Sequence, residues 1–425
     1  MTRLLFLSST PQPCFTMANS IFFLLVLRFL RLVAAQNETE HVSGDLFNSL
    51  EELSRLVDIS YCVGTSGVQQ PFQCLSRCVE FPDLELVATW NTGVLLSDSC
   101  GYIAVSHPPS PKRIVIAFRG TYSITNTIID LSAYPQAYVP YTGDDNKIAD
   151  TQSLRPSGSR CENCTVHAGF MTSWLDTRSI ILPHISEAMQ KYPDYEVTLV
   201  GHSLGGAVAA LAGLEMRLKG WDPQVTTFGE PMLGNGGFAQ FFDEQFDLQP
   251  TRSNKSLSQD KNRFRRITHV DDPVPLLPLQ EWGYEPHAGE IFISKSGLPP
   301  SLGDVHPCVG NYDPRCIAGS ETPALLRGMY HDINIPVDLS TSSMNHCRMP
   351  LGNHASESGE QVVLGQWKGQ DTTSCKMGHS EDRLSLIRWD WSLIPAKYRL
   401  WELFYAHRDY FWRIGLCVPG GDPSG

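Results

Sequence analysis

Residues 114–118, Ile-Val-Ile-Ala-Phe, form an unbroken apolar run of strand length, the pattern of a strand buried on both faces. Residues 197–200 form a second run, and 225–228 and 291–294 continue the series. Between the first two, Ile181, Ile185, Ala188 and Met189 recur at helical spacing, and Pro193 marks the end of that helix. Strand and helix patterns that alternate in this way predict a mostly parallel central sheet with helices on both faces, an α/β fold. Residues 155–160, 252–259 and 297–303 read as loops from their Gly, Pro and Ser content. One stretch breaks the pattern. Over 338–382 the sequence is polar and aperiodic, and helical spacing returns over 389–404. The polar stretch reads as an inserted surface loop or a disordered segment, or else as retained non-coding sequence; sequencing the transcript separates these.

Composition narrows the class. The chain has 425 residues, 42% of them hydrophobic, which suffices for one large domain over 36–425. Its net charge is −12 and its basic residues form no long cluster, so it lacks the electrostatic footprint of a nucleic-acid binder. The first 35 residues read as a signal peptide: Arg3 is basic, 21–27 is apolar, and Val33-Ala34-Ala35 offers a cleavage site before Gln36. Met17 is an alternative start. Arg28 and Arg31 interrupt the apolar run, which is shorter than the ~20 residues needed to span a bilayer, so no stable membrane anchor is expected. Twelve cysteines fit an oxidising compartment, and the sequons at Asn37, Asn163 and Asn254 agree with export. The expected location is extracellular, with a vacuolar lumen as the alternative.

The chemistry centres on Gly201-His202-Ser203-Leu204-Gly205, a G-x-S-x-G pattern. A strand candidate precedes it, and Ala207, Ala209, Ala210, Ala212 and Gly213 follow, small residues that let a helix pack close to a sheet. Gly220 supplies a helix stop. A serine on such a turn is a nucleophile only when a base takes its proton. In α/β-hydrolases the partners follow in the order acid, then histidine. Candidate acids are Asp271, Asp272, Asp304, Asp313 and Asp332; candidate bases are His269, His287, His306, His331, His346, His354, His379 and His407. Spacing does not choose among them.

Four segments, taken in order, resemble the fungal class 3 lipases, the family of secreted mould triacylglycerol lipases and related feruloyl esterases. The resemblance covers about 56–330 and resumes over 389–417. Phe118-Arg119-Gly120-Thr121 resembles the strand end carrying the family's oxyanion residue, which implies that role for Thr121. The second donor is implied to be the backbone N–H of Leu204. Residues 122–131 resemble the lid, with Ile124, Ile128, Ile129 and Leu131 on an apolar face, although Thr127 stands where some mould lipases carry tryptophan. Residues 266–275, ending Asp271-Asp272-Pro273-Val274-Pro275, resemble the segment of the triad acid and imply Asp272, with Asp271 the near miss. His407-Arg408-Asp409-Tyr410-Phe411 resembles the segment of the triad histidine and implies His407, with His331 the runner-up.

The resemblance also implies the disulfides Cys62–Cys417, Cys74–Cys78, Cys161–Cys164 and Cys308–Cys316, and leaves Cys100 without an obvious partner. Cys347 and Cys375 with nearby histidines match no zinc spacing, and no metal or other cofactor is expected. The implied activity is triacylglycerol hydrolysis through an acyl-enzyme, on a lipid or other ester met at an oil–water interface, with no obligate protein partner. Feruloyl esterase, which Thr121 and Gly229-Glu230-Pro231 also resemble, and phospholipase are the alternatives within the class. A lipid-binding protein that has lost catalysis is the alternative outside it.

Overall fold

The apolar run at 114–118 is the middle of a strand, Arg113–Arg119, inside an eight-stranded sheet. The fold was taken from a computed structural model, whose described residues are 41–93, 99–121, 135–140, 161–248, 261–319 and 405–421. In chain order the sheet comprises β1 (Leu84–Asn91), β2 (Cys100–Ser106), β3 (Arg113–Arg119), β4 (Glu196–His202), β5 (Gln224–Phe228), β6 (Phe264–His269), β7 (Glu290–Ile293) and β8 (Val305–Pro307). They lie side by side in that same order. Strands β3 to β7 run parallel, and antiparallel pairings add β1 and β2 at one edge and β8 at the other. This is the mostly parallel sheet of an α/β-hydrolase fold.

Alternation along β3 shows why the run is continuous. Ile114, Ile116 and Phe118 enter one core, while Val115 and Ala117 enter the other, so both faces must be apolar. Helices α2 (Ala168–Lys191), α3 (Leu204–Leu218) and α4 (Gly236–Gln245) cover the first face. Helix α1 (Gly44–Ile59) covers the second, burying Leu46, Leu50, Leu53, Leu56 and Val57. Ser43 caps α1, its Oγ accepting from Leu46 N at 3.0 Å. The expected helix around Ile181 to Met189 is the second half of α2, and Pro193 lies just beyond its cap at Tyr192.

Helix α3 is buried from Leu204 to Met216, which its small residues permit. A Cβ on Gly213 would sit 2.5 Å from Val225 Cγ2, so a larger residue there would push the helix off the sheet. Gly220, at φ +83°, ends the helix, with Trp221 N donating to Met216 O at 2.9 Å in a Schellman-type closure. The four disulfides implied by the resemblance are all present. Cys100 is buried outside any disulfide, with its thiol 2.9 Å from Asn91 Oδ1. The loop expected at 297–303 runs into a short turn of 3-10 helix, Leu302–Asp304. The expectations for 1–35, 122–131, 155–160, 252–259, 338–382 and 389–404, and those on Cys347, Cys375, His331, His346, His354, His379 and Asp332, lie outside the described residues. No helix among the described residues is long and apolar enough to cross a membrane.

Candidate active site

The carboxyl ends of the parallel strands carry the chemistry. Ser203 follows directly on β4 and caps α3, with φ 58° and ψ −130°. For a residue with a side chain this is a sparsely populated conformation, costing about 1–3 kcal/mol, and the surrounding backbone must enforce it. Ser203 N donates to Phe228 O at 2.9 Å at the end of β5, which pins the turn from the side. The turn also needs its glycines. A Cβ on Gly201 would lie 2.2 Å from Gly205 O, and one on Gly205 would lie 2.4 Å from Phe118 O. The motif is therefore a three-way crossing of β3, β4 and α3 that leaves Ser203 at the top, 2% exposed.

Asp272 lies three residues beyond β6 and is fully buried. Its carboxylate meets His407 Nδ1 at 3.0 Å and 2.9 Å, accepts from Val274 N at 2.9 Å, and accepts a short hydrogen bond from the Tyr410 hydroxyl. Burial works to raise this carboxyl, but the His407 charge and hydrogen bond, with Tyr410 and Val274, outweigh it. Asp272 is held below the ordinary carboxylate range. The anion fixes the tautomer of His407, because Nδ1 must carry the proton it donates. That leaves Nε2 as the basic nitrogen. It is buried, with no hydrogen-bond partner among the described residues.

Gly229, at φ +60°, makes room for this pair. A Cβ there would fall 2.7 Å from Tyr410 Oη, 2.9 Å from His407 Cε1 and 3.0 Å from Asp272 Oδ2. Since Gly229 follows the residue whose carbonyl holds Ser203 N, the Asp272–His407 pair and the elbow share one strand end. Thr121 follows β3 and Gly120; a Cβ on Gly120 would be 2.8 Å from Ser203 Cβ, so this strand end packs directly on Ser203. Leu204 is the first residue of α3, and its N–H belongs to the helix end that has no intrahelical acceptor.

The other candidates have structural work. Asp271 is half-buried, and it is the Asp272 carboxylate that meets the His407 ring. His269 is buried, with its Nδ1 accepting from Asp271 N at 3.4 Å. His287 lies between Glu230 Oε1 and the Ala288 carbonyl, each at 2.8 Å. His306 lies 3.4 Å from the Arg315 carbonyl. Asp304 closes a capping box with Ser301, and Asp313 pairs with Arg315 at 2.7 Å. Three further residues at the site had no role in the sequence reading: Tyr61, His202 and Tyr410. His202 stands inside the motif, but nothing in a linear pattern shows which way its ring turns. Tyr410 stands inside the segment of His407 but carries no role of its own there, and Tyr61 has no motif signal at all.

A strand–serine–helix elbow on a parallel sheet, backed by a buried aspartate–histidine pair, is the arrangement of α/β-hydrolases that attack esters with serine. Comparison with known proteins specifies it further. Residues 115–282 match the family described as Lipase (class 3). The chain is 46% identical to Lipase A of Sodiomyces alcalophilus over 92% of this chain and 87% of that protein. It is 45% identical to secreted mono- and diacylglycerol lipase 2 of Gibberella zeae, over 90% and 85% respectively. Among solved structures, the Lip2 lipase of Yarrowia lipolytica aligns with a TM-score of 0.57 at 32% identity, covering 67% of this chain and 92% of that one. The chain belongs to the class 3 lipase family, and it is an ester-hydrolysing enzyme of the lipase type.

Proposed function

We propose that the chain is an extracellular acylglycerol lipase working through an acyl-enzyme on Ser203, with Asp272 and His407 completing the triad and Thr121 and Leu204 forming the oxyanion site. The observation that carries the triad is the buried Asp272–His407 pair at 2.9 Å, which leaves one basic ring nitrogen with no hydrogen-bond partner among the described residues, on a ring that lies against His202 of the elbow. His407 Nε2 takes the Ser203 hydroxyl proton as Oγ attacks the ester carbonyl. Asp272 stabilises the imidazolium that forms. The Leu204 N–H and Thr121 donate to the tetrahedral oxyanion, where losing one donor costs about 10²–10³ in rate. Collapse expels the alcohol, which takes the proton back from Nε2. Water then repeats the sequence on the acyl-enzyme and releases the acid.

Acylglycerols are favoured over other esters by the names of the relatives, one of which is a mono- and diacylglycerol lipase. That name places partial glycerides beside the triacylglycerols expected from the sequence resemblance. A lipid met at an oil–water interface is part of the proposal. Its signature is activity that rises steeply once substrate exceeds its solubility. Export is supported by the leader-like first 35 residues, four disulfides and a relative named as secreted.

One preparation assayed on mono-, di- and triacylglycerol, phospholipid vesicles and methyl ferulate tests the substrate class. Hydrolysis of acylglycerols well above the other two supports the proposal. Activity on methyl ferulate or phospholipid alone overturns it. Mapping the site of fluorophosphonate labelling to Ser203 tests the mechanism separately, and labelling elsewhere would remove the nucleophile assignment.

A further inference from the structure

The ring of His202 has both nitrogens engaged in the protein interior. Its Nε2 lies 2.7 Å from the main-chain carbonyl of His407, and its Nδ1 lies 2.6 Å from the Tyr61 hydroxyl. A carbonyl oxygen only accepts, so Nε2 carries the proton and donates it. Nδ1 then has the lone pair, and the Tyr61 hydroxyl donates to it. Both residues are buried, His202 at 2% and Tyr61 at 2% exposure. The His202 and His407 rings lie against each other, with centroids 4.7 Å apart and planes tilted 31°.

We propose that His202 is a positioning residue for the base: it grips the His407 main chain through Nε2–H while Tyr61 fixes which nitrogen donates. The proposal rests on the triad reading above. Asp272 holds one edge of the His407 ring, but a ring anchored only at Nδ1 can still swing on its own backbone. The second anchor holds the His407 main chain, through the residue immediately preceding Ser203. Ser203 and His407 are therefore tied to each other across a single side chain. Productive attack needs reacting atoms aligned within about 3–3.5 Å, and a displacement of ~1 Å costs about 10² in rate.

Two further features fit this role. Burial, reinforced by the His407 charge, pushes the His202 pKa down to about 3, so the imidazolium formed on His407 during catalysis faces a neutral ring. Tyr61 is itself wedged in place. It adjoins Cys62, which is bonded to Cys417, and a Cβ on Gly120 would lie 2.5 Å from its hydroxyl. Arg119 donates to Val63 O at 3.0 Å and closes the loop behind it. The clamp thus joins the strand end of Thr121, the elbow of Ser203 and the segment of His407.

The test compares His202→Gln, His202→Asn, His202→Leu and Tyr61→Phe with the unaltered enzyme on a soluble short-chain ester, reading kcat and KM separately. Gln places an N–H near the Nε2 position, whereas Asn reaches only as far as Nδ1. The expected result for His202→Leu and His202→Asn is a kcat loss of about 10²-fold at near-constant KM. His202→Gln is expected to recover most of that loss, and Tyr61→Phe to show a smaller fall. Tyr61→Phe keeps the packing and carries the test if the leucine variant does not fold. Unchanged kcat in His202→Leu or Tyr61→Phe overturns the proposal, as does equal loss in all three His202 variants, which would mean the ring only fills space. Ser203→Ala is run alongside. If it is dead while His202→Leu is normal, the clamp fails and the triad stands; if Ser203→Ala hydrolyses the ester, the triad reading itself fails.

Discussion

The proposed nucleophile and the proposed acid–base pair are built in opposite ways. Ser203 belongs to a continuous stretch, β4, the turn and α3, and its geometry is enforced by backbone contacts at Gly201 and Gly205. Asp272 and His407 are separated by 135 residues and meet only because other elements hold the segment 405–421 in place. Its anchors are the Cys62–Cys417 disulfide, Gly415 N bonded to Asp58 Oδ1 at 3.0 Å, the His202 contact with the His407 carbonyl, and the Tyr410 bond to Asp272. One half of the site is fixed by close backbone contacts around a single turn, the other by a set of side-chain and disulfide attachments, two of which reach back to α1 and the turn after it. Reactivity at the elbow and alignment of the base are consequently separable properties.

The largest expected effects remove one half outright. Ser203→Ala takes away the attacking oxygen and is expected to lower kcat by about 10⁶-fold with the fold intact, measured as residual ester hydrolysis and by circular dichroism. Asp272→Asn keeps the shape but withdraws the anion that fixes the His407 tautomer, and a loss of about 10⁴-fold in kcat is expected. A loss for Asp272→Asn as small as tenfold would mean that His202 and the main chain alone orient the base.

These two halves were also unequally legible in the sequence. The elbow is written in consecutive residues, glycines and alanines whose absence of bulk is the structural message, so Ser203 is readable without a fold. The strands at 114–118, 197–200, 225–228 and 291–294 announce themselves because burial on both faces favours runs of apolar and β-branched residues without charge. Strand β6 does not, since Phe264–His269 contains two arginines. Arg266 survives there by pairing with buried Glu290 at 3.3 Å, a partner on the next strand that no linear window shows. Asp272 and His407 became readable only through resemblance to a family. Tyr61 and His202 escaped even that, because their roles consist of ring orientation across 141 residues.

Cutting the disulfide sharpens the contrast. Cys62 and Cys417 close a separation of 355 residues, and removing such a bond costs about 2–5 kcal/mol of stability. The double variant Cys62→Ala/Cys417→Ala is expected to lose catalysis at a lower temperature than it loses secondary structure, because the base detaches before the sheet melts. Activity and far-ultraviolet circular dichroism followed on the same heating ramp check this. Coincident losses would show that the C-terminal segment is held well enough by its other anchors.

The smallest expected effect concerns Asp58, the buried carboxylate that receives Gly415 N. Burial, against the pull of Gly415 N–H, the Ser76 hydroxyl and the Arg77 guanidinium, with Arg408 also nearby, pushes its pKa up to about 6 from an ordinary 3.8. Between those two values the folded chain holds a proton that the unfolded chain has released, so this group's contribution to stability falls as pH rises. The stabilisation is fully present below pH 3.8 and is lost as pH climbs through about 6, a span worth about 3 kcal/mol at 1.36 kcal/mol per tenfold change in acidity. Asp58→Asn keeps an acceptor for Gly415 N and removes the titration. Denaturant unfolding of both proteins at pH 4 and pH 8 is therefore expected to show the variant gaining on the unaltered chain at the higher pH. A difference that does not change with pH would mean that the charge on Asp58 is fully compensated where it lies. The tether from α1 to the segment of His407 would then be as insensitive to pH as the elbow, and the two halves of the site would differ in their assembly alone.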